Sequence, residues 1–231
     1  MGILANAAAI VLSSLLGSKI SVRDFNKYDR VLGIGIMVIS LVGFFENIYS
    51  VQGESITSQN LIIVLLAYMV GYFLGDALQL TSRLSNLGNT QSKSLNAIID
   101  TSLFFGVGGL QISGPIALAL QGDNSQLFLK SFIDFPFALI FGTTYGAIAA
   151  VSALPVALIQ ILIALIAYFF ADFFSNTLNM QLCALGYLIL FFSGFNLITD
   201  KKHRIDNINI LPGMLLILVY NFLKEILERV L

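Results

Sequence analysis

The chain carries no formal charge anywhere between residues 135 and 171. A single helix of that length would extend over about 55 Å, whereas the apolar core of a bilayer is about 30 Å thick. The segment is too apolar for a soluble surface and too long for one membrane span. We therefore expect it to fold back at Ser152-Ala153-Leu154-Pro155, where a proline follows small residues, and to form two spans.

The composition of the whole chain agrees with this interpretation. Of its 231 residues, 57% are hydrophobic and 11% are charged, and the mean hydropathy is +0.88. Soluble domains carry about 25% charged residues. We therefore predict a single integral membrane domain over residues 1–231, built as an all-α bundle of transmembrane helices.

The composition also argues against several classes of function. A net charge of −1 gives no basic surface for nucleic acid. The lone cysteine, Cys183, lies in an apolar run, and the lone histidine, His203, lies in a basic segment, so no metal framework is expected. The sequence has neither His-Glu-x-x-His nor Gly-x-Ser-x-Gly. We expect no enzyme activity, no metal and no cofactor.

The apolar runs predict eight spans, with seven as the second model if the turn at Pro155 does not cross. Lys and Arg are concentrated in the segments 19–30, 80–97 and 200–206, which we therefore place in the cytoplasm, with both termini outside. The spans are predicted at about residues 3–19, 31–45, 61–75, 101–122, two within 135–171, 180–198 and 210–223.

The fourth and fifth spans share a pattern of helix-breaking residues. Each has a Phe-Gly step, at Phe105-Gly106 and at Phe141-Gly142, followed by a serine and then a proline. Paired spans interrupted by Gly and Pro are typical of transporter binding sites, because unwound backbone inside a membrane must line protein or a wet cavity. The alternative is that the glycines serve close helix packing alone.

Uncharged polar residues lie beside these breaks, and they suit a small polar solute or a partly dehydrated ion. Tyr145 and Gln160 are further uncharged polar candidates near the predicted midplane, and Asn6 and Asn196 add amides near the ends of the first and seventh spans. Each such group alone is more often an interhelical hydrogen bond than a ligand, so the prediction depends on their clustering. The candidate binding residues are Gly106, Gly108, Gly109, Gln111, Ser113, Gly142, Thr143, Thr144, Gly146 and Ser152.

The charged candidates lie at the predicted ends of spans, where a charge could gate access to a central site. They are Asp76, Asp100, Lys130 and Asp134. Lys130 and Asp134 are four residues apart, a spacing that lets them pair on one face of a helix.

The second and seventh spans can be aligned at an offset of 151 residues, which pairs Gly35 with Gly186 and Gly43 with Gly194. This alignment suggests an inverted repeat that relates spans 1–3 to spans 6–8 and span four to span five. Inverted repeats recur in secondary transporters. Chance similarity among common residues is the alternative.

Several short motifs together resemble a known family. They include Gly2, Leu4 and Asn6, then Ser102-Leu103, Gly122-Asp123, Lys130-Ser131, Asp134 and Gly194-x-Asn196-Leu197. On these motifs the chain resembles the YdfK/YqgA-like family of bacterial membrane proteins of unknown function, over essentially its whole length. It departs from the family at Gly106, where Cys is common, and at Gln111, where a small apolar residue is usual. The resemblance implies a multi-pass protein of the bacterial plasma membrane and no particular substrate.

We accordingly predict a multi-pass transporter or channel for an unidentified small solute or monovalent ion. The alternative is a non-transporting membrane scaffold or accessory subunit. The predicted surroundings are the lipid bilayer, without nucleic acid, and a homo-oligomer is left open.

Overall fold

The computed structural model describes residues 1–20, 26–52, 55–58, 60–87, 93–106 and 109–230. Within these ranges the regular secondary structure is helical apart from one small antiparallel hairpin in the predicted loop after the second span. The hairpin is formed by β1 (Ser50–Gln52) and β2 (Ser55–Thr57). The helices are α1 (Gly2–Gly17), α2 (Asn26–Ile48), α3 (Leu61–Ala77), α4 (Leu80–Leu87), α5 (Lys93–Gly106), α6 (Gly109–Gln121), α7 (Ser125–Tyr145), α8 (Ala153–Phe169), α9 (Asn176–Ile198) and α10 (Pro212–Val230).

Four helical stretches in the described part of the chain are long and apolar enough to cross a membrane. They are Arg30–Ile48, Ser125–Phe169, Asn176–Ile198 and Asn207–Glu228. A fifth span results if the bent pair α5 and α6 is counted as one. The helices α1 and α3 are also apolar but shorter, at 16 and 17 residues.

The chain divides into two compact units. Unit 1 contains Met1–Val31 and Ser82–Phe169, and unit 2 contains Leu32–Thr81 and Phe170–Leu231. Each unit therefore combines helices from both halves of the sequence.

In unit 1, α1 packs along α7 in the same direction. Gly2 lies against Leu127 near the start of α7, and Ser14 lies against Gly142 near its end. At Gly17 an added Cβ would collide with the carbonyl of Leu139. Small residues let the two backbones approach this closely.

The helix α7 begins after a short loop that is held by Asp123. One carboxylate oxygen of Asp123 accepts the backbone N–H of Ser125 at 2.8 Å, and the other accepts the Ser125 hydroxyl at 2.7 Å. These hydrogen bonds, the one from the backbone N–H foremost, lower the pKa of Asp123.

The long uncharged segment folds back, but the break in the helix does not lie where the sequence predicted. The α-helix stops at Gly146, which has φ of 75° and ψ of −163°, a conformation that only glycine adopts easily. The 3₁₀ segment Gly146–Ser152 follows, and α8 begins at Ala153. Pro155 lies in the first turn of α8, where the missing N–H costs nothing, so it did not break the helix.

Two hydrogen bonds establish that the chain reverses between α7 and α8. Ser113 bonds Gln126 in α7, whereas Gln111, two residues away, bonds Gln160 in α8. In one straight helix, Gln126 and Gln160 would be about 50 Å apart. The segment therefore forms two antiparallel arms, as the sequence predicted.

The predicted break in the fourth span is present between α5 and α6, whose axes differ by 62°. The arm α5 runs antiparallel to α7. Phe104 contacts the ring of Phe137 at a centroid distance of 5.0 Å, and Asp100, one turn earlier, accepts a hydrogen bond from Tyr145 further along α7. Aromatic contacts therefore fix the position of the C-terminal end of α5 against α7.

In unit 2 two antiparallel helix pairs meet at glycines. Gly33 of α2 and Gly194 of α9 cross so closely that a Cβ added at either would lie 2.7 Å from the carbonyl oxygen of the other. In the second pair, α3 packs on α10 where Gly71 meets Gly213. Both contacts leave no room for larger side chains.

Buried amides join the helices of unit 2. The Gln181 amide in α9 donates to Asn60 Oδ1 at 3.1 Å, and Asn221 in α10 donates to Gln181 Oε1 at 2.7 Å. Gln181 is 2% exposed, so this network holds the start of α3 to α9 and α10 away from water.

Candidate functional site

A buried ion pair lies within α7. The Lys130 Nζ is 2.8 Å from Asp134 Oδ2, and the two side chains are 6% and 7% exposed. The sequence predicted these residues in an outer loop at the end of a span. They lie instead inside the helix, because α7 begins at Ser125, and their mutual neutralisation allows the charges to stay there. Asp134 is nine residues into α7, about 13 Å along its axis.

Two further helices complete the cluster around the ion pair. The Lys130 ammonium donates to the backbone carbonyl of Phe105 at 3.0 Å. The Asn6 amide donates to Asp134 Oδ2 at 3.0 Å. Phe105 is the penultimate residue of α5, so its carbonyl is one of those that a helix end leaves without an intrahelical donor. We call Asn6, Phe105, Lys130 and Asp134 the charged cluster.

One acceptor in the charged cluster has no donor. Asn6 is fully buried, and among the described residues nothing donates to its Oδ1. Buried polar atoms without partners are rare in native proteins and usually mark strain, water or a ligand. The amide oxygen of Asn6 is therefore a buried acceptor without a donor among the described residues.

A second buried polar group joins α6 to α8. The Gln111 amide donates to the Val156 carbonyl at 3.0 Å, and the Gln160 amide donates to Gln111 Oε1 at 2.9 Å. Both glutamines are fully buried, and Gln160 Oε1 has no donor among the described residues. We call Gln111 and Gln160 the glutamine pair.

The other predicted binding residues that carry hydroxyl groups have hydrogen-bond partners other than Gln111. The Thr143 and Thr144 hydroxyls both donate to the Ile140 carbonyl of their own helix, and Thr144 is exposed. Ser152 donates to Ala149 within the 3₁₀ segment, and Ser113 donates to Gln126. Thr143, Thr144 and Ser152 therefore donate within their own helical segments, whereas Ser113 donates to the neighbouring helix α7.

The predicted glycines serve different purposes. Gly142 packs against α1, and Gly146 supplies the break after α7. Gly106 and Gly109 flank the break between α5 and α6, and a Cβ at Gly106 would come no closer than 3.9 Å to another side chain. Gly108 lies outside the described residues.

The two remaining acids do not join the charged cluster. Asp76 is exposed near the end of α3, in unit 2. Asp100 is exposed on α5 and accepts a hydrogen bond from the Tyr145 hydroxyl at 3.3 Å.

Sequence reasoning did not place Asn6 and Gln160 in the site. Gln160 was a polar candidate near the predicted midplane and Asn6 an amide near the end of a span, but neither was among the predicted binding residues. Asn6 also belongs to the motifs behind the family resemblance. Their partners are 128 and 49 positions away, so no local spacing linked them to Asp134 and Gln111.

In the charged cluster, oxygen atoms lie around one positive charge, the Lys130 ammonium. A carboxylate and a backbone carbonyl contact the Lys130 ammonium, and the amide of Asn6 donates to the same carboxylate. In the described part of the chain no three His, Cys, Asp or Glu side chains come together as a metal site. The arrangement therefore binds a single positive charge with hard oxygen ligands.

Four helical stretches that are long and apolar enough to cross a membrane, in the described part of the chain, are those of a helical membrane protein. The chain belongs to the DUF554 family of proteins of unknown function, whose sequence profile matches residues 1–222. It is 25% identical over 219 residues to the uncharacterized membrane protein YdfK of Bacillus subtilis (strain 168), with 93% of each chain covered. It is also 25% identical over 234 residues to the uncharacterized protein YqgA of Escherichia coli (strain K12), with 91% of this chain and 92% of that one covered.

These relatives confirm the resemblance to a YdfK/YqgA-like family that the motifs predicted. No solved structure matches the chain.

Proposed function

We propose that the protein is a multi-pass transporter or channel of the bacterial plasma membrane for a small solute or ion, with its site in unit 1 at the charged cluster. One observation carries the proposal: the Lys130 ammonium of α7 binds the Phe105 carbonyl at the end of α5, where a span is interrupted. The substrate pathway would pass this break.

The energetics of burial support a functional role for these charges. Replacing a buried ion pair by well-packed apolar residues is often neutral or stabilising, so packing alone does not need the pair. Ionisable residues inside membrane helices usually mark substrate or ion pathways. In transporters with interrupted helices, the carbonyl ends of half-helices bind cations, and here a cationic side chain takes that place.

Packing directions within each unit support eight spans. In unit 1, α1 and α7 are parallel, as expected for spans one and five, and α5 is antiparallel to α7. In unit 2, α2 is antiparallel to α9, as expected for spans two and seven, and α3 is antiparallel to α10. A seven-span chain would make α2 and α9 parallel, so the directions favour eight spans, and the distribution of Lys and Arg favours outer termini.

The inverted repeat is part of the same proposal. The helices α2 and α9 both have 23 residues, and α3 and α10 start at Leu61 and Pro212, the offset of 151 seen in the alignment. The offset pairs Gly43 with Gly194 and Ile36 with Tyr187. An inverted repeat therefore predicts that a contact of Gly43 with Tyr187 has a counterpart between Gly194 and Ile36. Both contacts are present, which supports an inverted relation between the two halves of unit 2.

A flux assay tests the proposal. Purified protein is reconstituted in proteoliposomes, and fluxes of Na⁺, K⁺, Cl⁻ and small neutral solutes are compared with those of protein-free vesicles. We expect flux of at least one of these, its loss in Asp134→Asn, and its retention in Lys224→Met, because Lys224 forms an exposed pair with Glu228 at the same spacing.

The alternative function is a membrane scaffold, which the close contact of Gly142 with Ser14 favours. Parent protein that moves none of the tested species would support the scaffold instead. Flux that is unchanged in Asp134→Asn would remove the site from the charged cluster.

A further inference from the structure

We propose that the break between α5 and α6 holds a binding site for one small uncharged solute that donates hydrogen bonds, of the size and kind of urea. The site lies at Gly106, where α5 ends, beside Ser102 of α5 and Gln160 of α8. This inference rests on the proposed transport function and narrows its substrate class to neutral hydrogen-bond donors.

Buried polar atoms without a hydrogen-bond partner supply the first argument. Within the described part of the chain they are Asn6 Oδ1, Ser14 Oγ, Ser102 Oγ and Gln160 Oε1, and all four belong to unit 1. Gln160 is fully buried. Since nearly all buried polar groups of native proteins have a partner, unpaired ones commonly mark a place where a further molecule binds.

The hydrogen bonds of the glutamine pair fix which atom of Gln160 is unpaired. The Val156 carbonyl can only accept, so the group of Gln111 that lies 3.0 Å from it is the amide NH₂. The Gln111 oxygen then accepts from the Gln160 NH₂ at 2.9 Å. The series of hydrogen bonds therefore ends on the Gln160 oxygen, which can only accept. A molecule that satisfies this oxygen must carry a donor or a positive charge.

Ser102 brings a second unpaired atom to the same break. Ser102 and Gly106 are four residues apart, so they share one face of α5. A Cβ built at Gly106 would meet a single atom of another helix within 4 Å among the described residues, Ile159 Cδ1 at 3.9 Å. This face of α5 is therefore turned toward the α8 residue that precedes Gln160, and the glycine leaves space there.

The charges around the break favour a neutral solute over an ion. The Phe105 carbonyl, next to the break, already accepts from the Lys130 ammonium, whose countercharge is Asp134. A further cation would meet that ammonium, while α6 and α8 contain no carboxylate and Asp100 of α5 is exposed. An anion would meet the oxygen of Gln160. Burying an uncompensated ion costs far more than burying a neutral polar group, so an uncharged donor fits best.

Protection of an introduced cysteine tests binding without requiring transport. Gly106→Cys is made in the Cys183→Ala background, and its reaction with N-ethylmaleimide is followed on the full-length protein in detergent. We expect it to react, and we expect urea, formamide or glycerol to slow the reaction. Sucrose controls for viscosity and osmotic effects, and KCl tests for an ion. Ser125→Cys in the same background, at the start of α7, should react at the same rate with and without each solute.

Two further substitutions assign the binding atoms. Ser102→Ala removes a hydroxyl that has no partner in the protein, so folding should be unaffected while the solute is bound about two- to tenfold more weakly, the effect of one hydrogen bond between neutral groups. Ser40→Ala is the matched control, because Ser40 is a buried serine of unit 2 whose hydroxyl donates to the Ile36 carbonyl. It should leave protection unchanged. Gln160→Leu should weaken protection as well, and Ser102→Ala keeps the test valid if the leucine variant does not fold.

The outcomes distinguish this inference from the proposed function. A Gly106→Cys protein that does not react, that none of the three neutral solutes protects, or that KCl alone protects would overturn the neutral-solute site. Protection that is unchanged in folded Ser102→Ala would overturn it too. Ion flux in proteoliposomes without protection would leave transport standing and remove this site. Protection without flux of any solute would support the site and overturn transport.

Discussion

Gly142 of α7 lies directly against the backbone carbonyl of Ser14 in α1, with no space for a side chain between them. A second contact has the roles of the two helices exchanged: Gly17 of α1, three residues after Ser14, lies against the backbone carbonyl of Leu139 in α7. The two parallel helices therefore meet backbone to backbone. The sequence had offered Gly142 as a candidate binding residue, with close helix packing as the alternative, and in the structure its close partner is the first helix.

Adding one methyl group at this contact is expected to destabilise the protein. Gly142→Ala forces α1 and α7 apart and should cost about 1–3 kcal/mol, the range for overpacked sites. The matched control is Gly35→Ala in α2, where no atom lies within 4 Å of an added Cβ. It should be neutral or stabilise by about 0.5–1 kcal/mol through helix propensity. Thermal melting in detergent measures both, and equal melting temperatures for the two variants would contradict the close contact.

The break at Gly146 predicts a purely conformational penalty. An added Cβ would find no atom within 4 Å, but φ of 75° is strained for any other residue. Gly146→Ala should therefore lower stability by about 1–3 kcal/mol despite the open surroundings. If it melts like the Gly35→Ala control, the α-helix does not break at this residue.

The glutamine pair predicts strong coupling between two residues that are far apart in sequence. Gln160→Leu leaves Gln111 Oε1 without its donor, and Gln111→Leu leaves the Gln160 amide without its acceptor. Each single variant should cost about 1–3 kcal/mol. The double variant should cost less than the sum, with a coupling of about 0.5–3 kcal/mol, in unfolding measurements on all four proteins. Additive effects would argue against the direct hydrogen bond.

The two Lys-acid pairs among the described residues, Lys130–Asp134 and Lys224–Glu228, are expected to differ strongly in their response to the same Lys→Met substitution. Lys130→Met leaves the Asp134 carboxylate buried without its countercharge and should cost about 3–5 kcal/mol. Lys224→Met disrupts a pair whose side chains are 53% and 67% exposed, at 3.6 Å, and should change stability by less than about 1 kcal/mol. Unfolding in detergent compares them, and recovery in Lys130→Met combined with Asp134→Leu would identify the unpaired charge as the cause.

Labelling of single cysteines tests the proposed topology. The native Cys183 is buried, so its reaction with a membrane-impermeant thiol reagent should be slow, and Cys183→Ala removes it. In that background Ser125→Cys should react in intact cells, because the charge distribution places this loop outside. Asp200→Cys should react only after permeabilisation. The reverse pattern, or reaction of both in intact cells, would be incompatible with eight spans and outer termini.

The sequence alone predicted the features that depend on neighbouring residues. The uncharged segment 135–171 is too long for one span, and it does fold back. The glycines between Gly106 and Gly109 indicated an interrupted helix, and α5 and α6 meet there at 62°. Lys130 and Asp134 are four residues apart, and one helical turn brings them together at 2.8 Å. Helix geometry converts such local spacings directly into contacts.

Where the helix breaks within the long segment was decided by backbone conformation. Proline at position 155 appeared to be the stronger signal, but in the first turn of a helix it lacks no hydrogen bond. Gly146 instead adopts the left-handed φ that a break requires.

Only the tertiary structure decided which helices supply the partners of each polar group. Asn6 reaches Asp134 across 128 positions, and Gln160 reaches Gln111 across 49. Helices that are apolar on nearly every face carry no sequence pattern that says which side meets which neighbour. In these helices the choice is made by small residues such as Gly142, which permit close approach, and by buried polar atoms such as the Asp134 carboxylate, which must find partners wherever the packed helices place them.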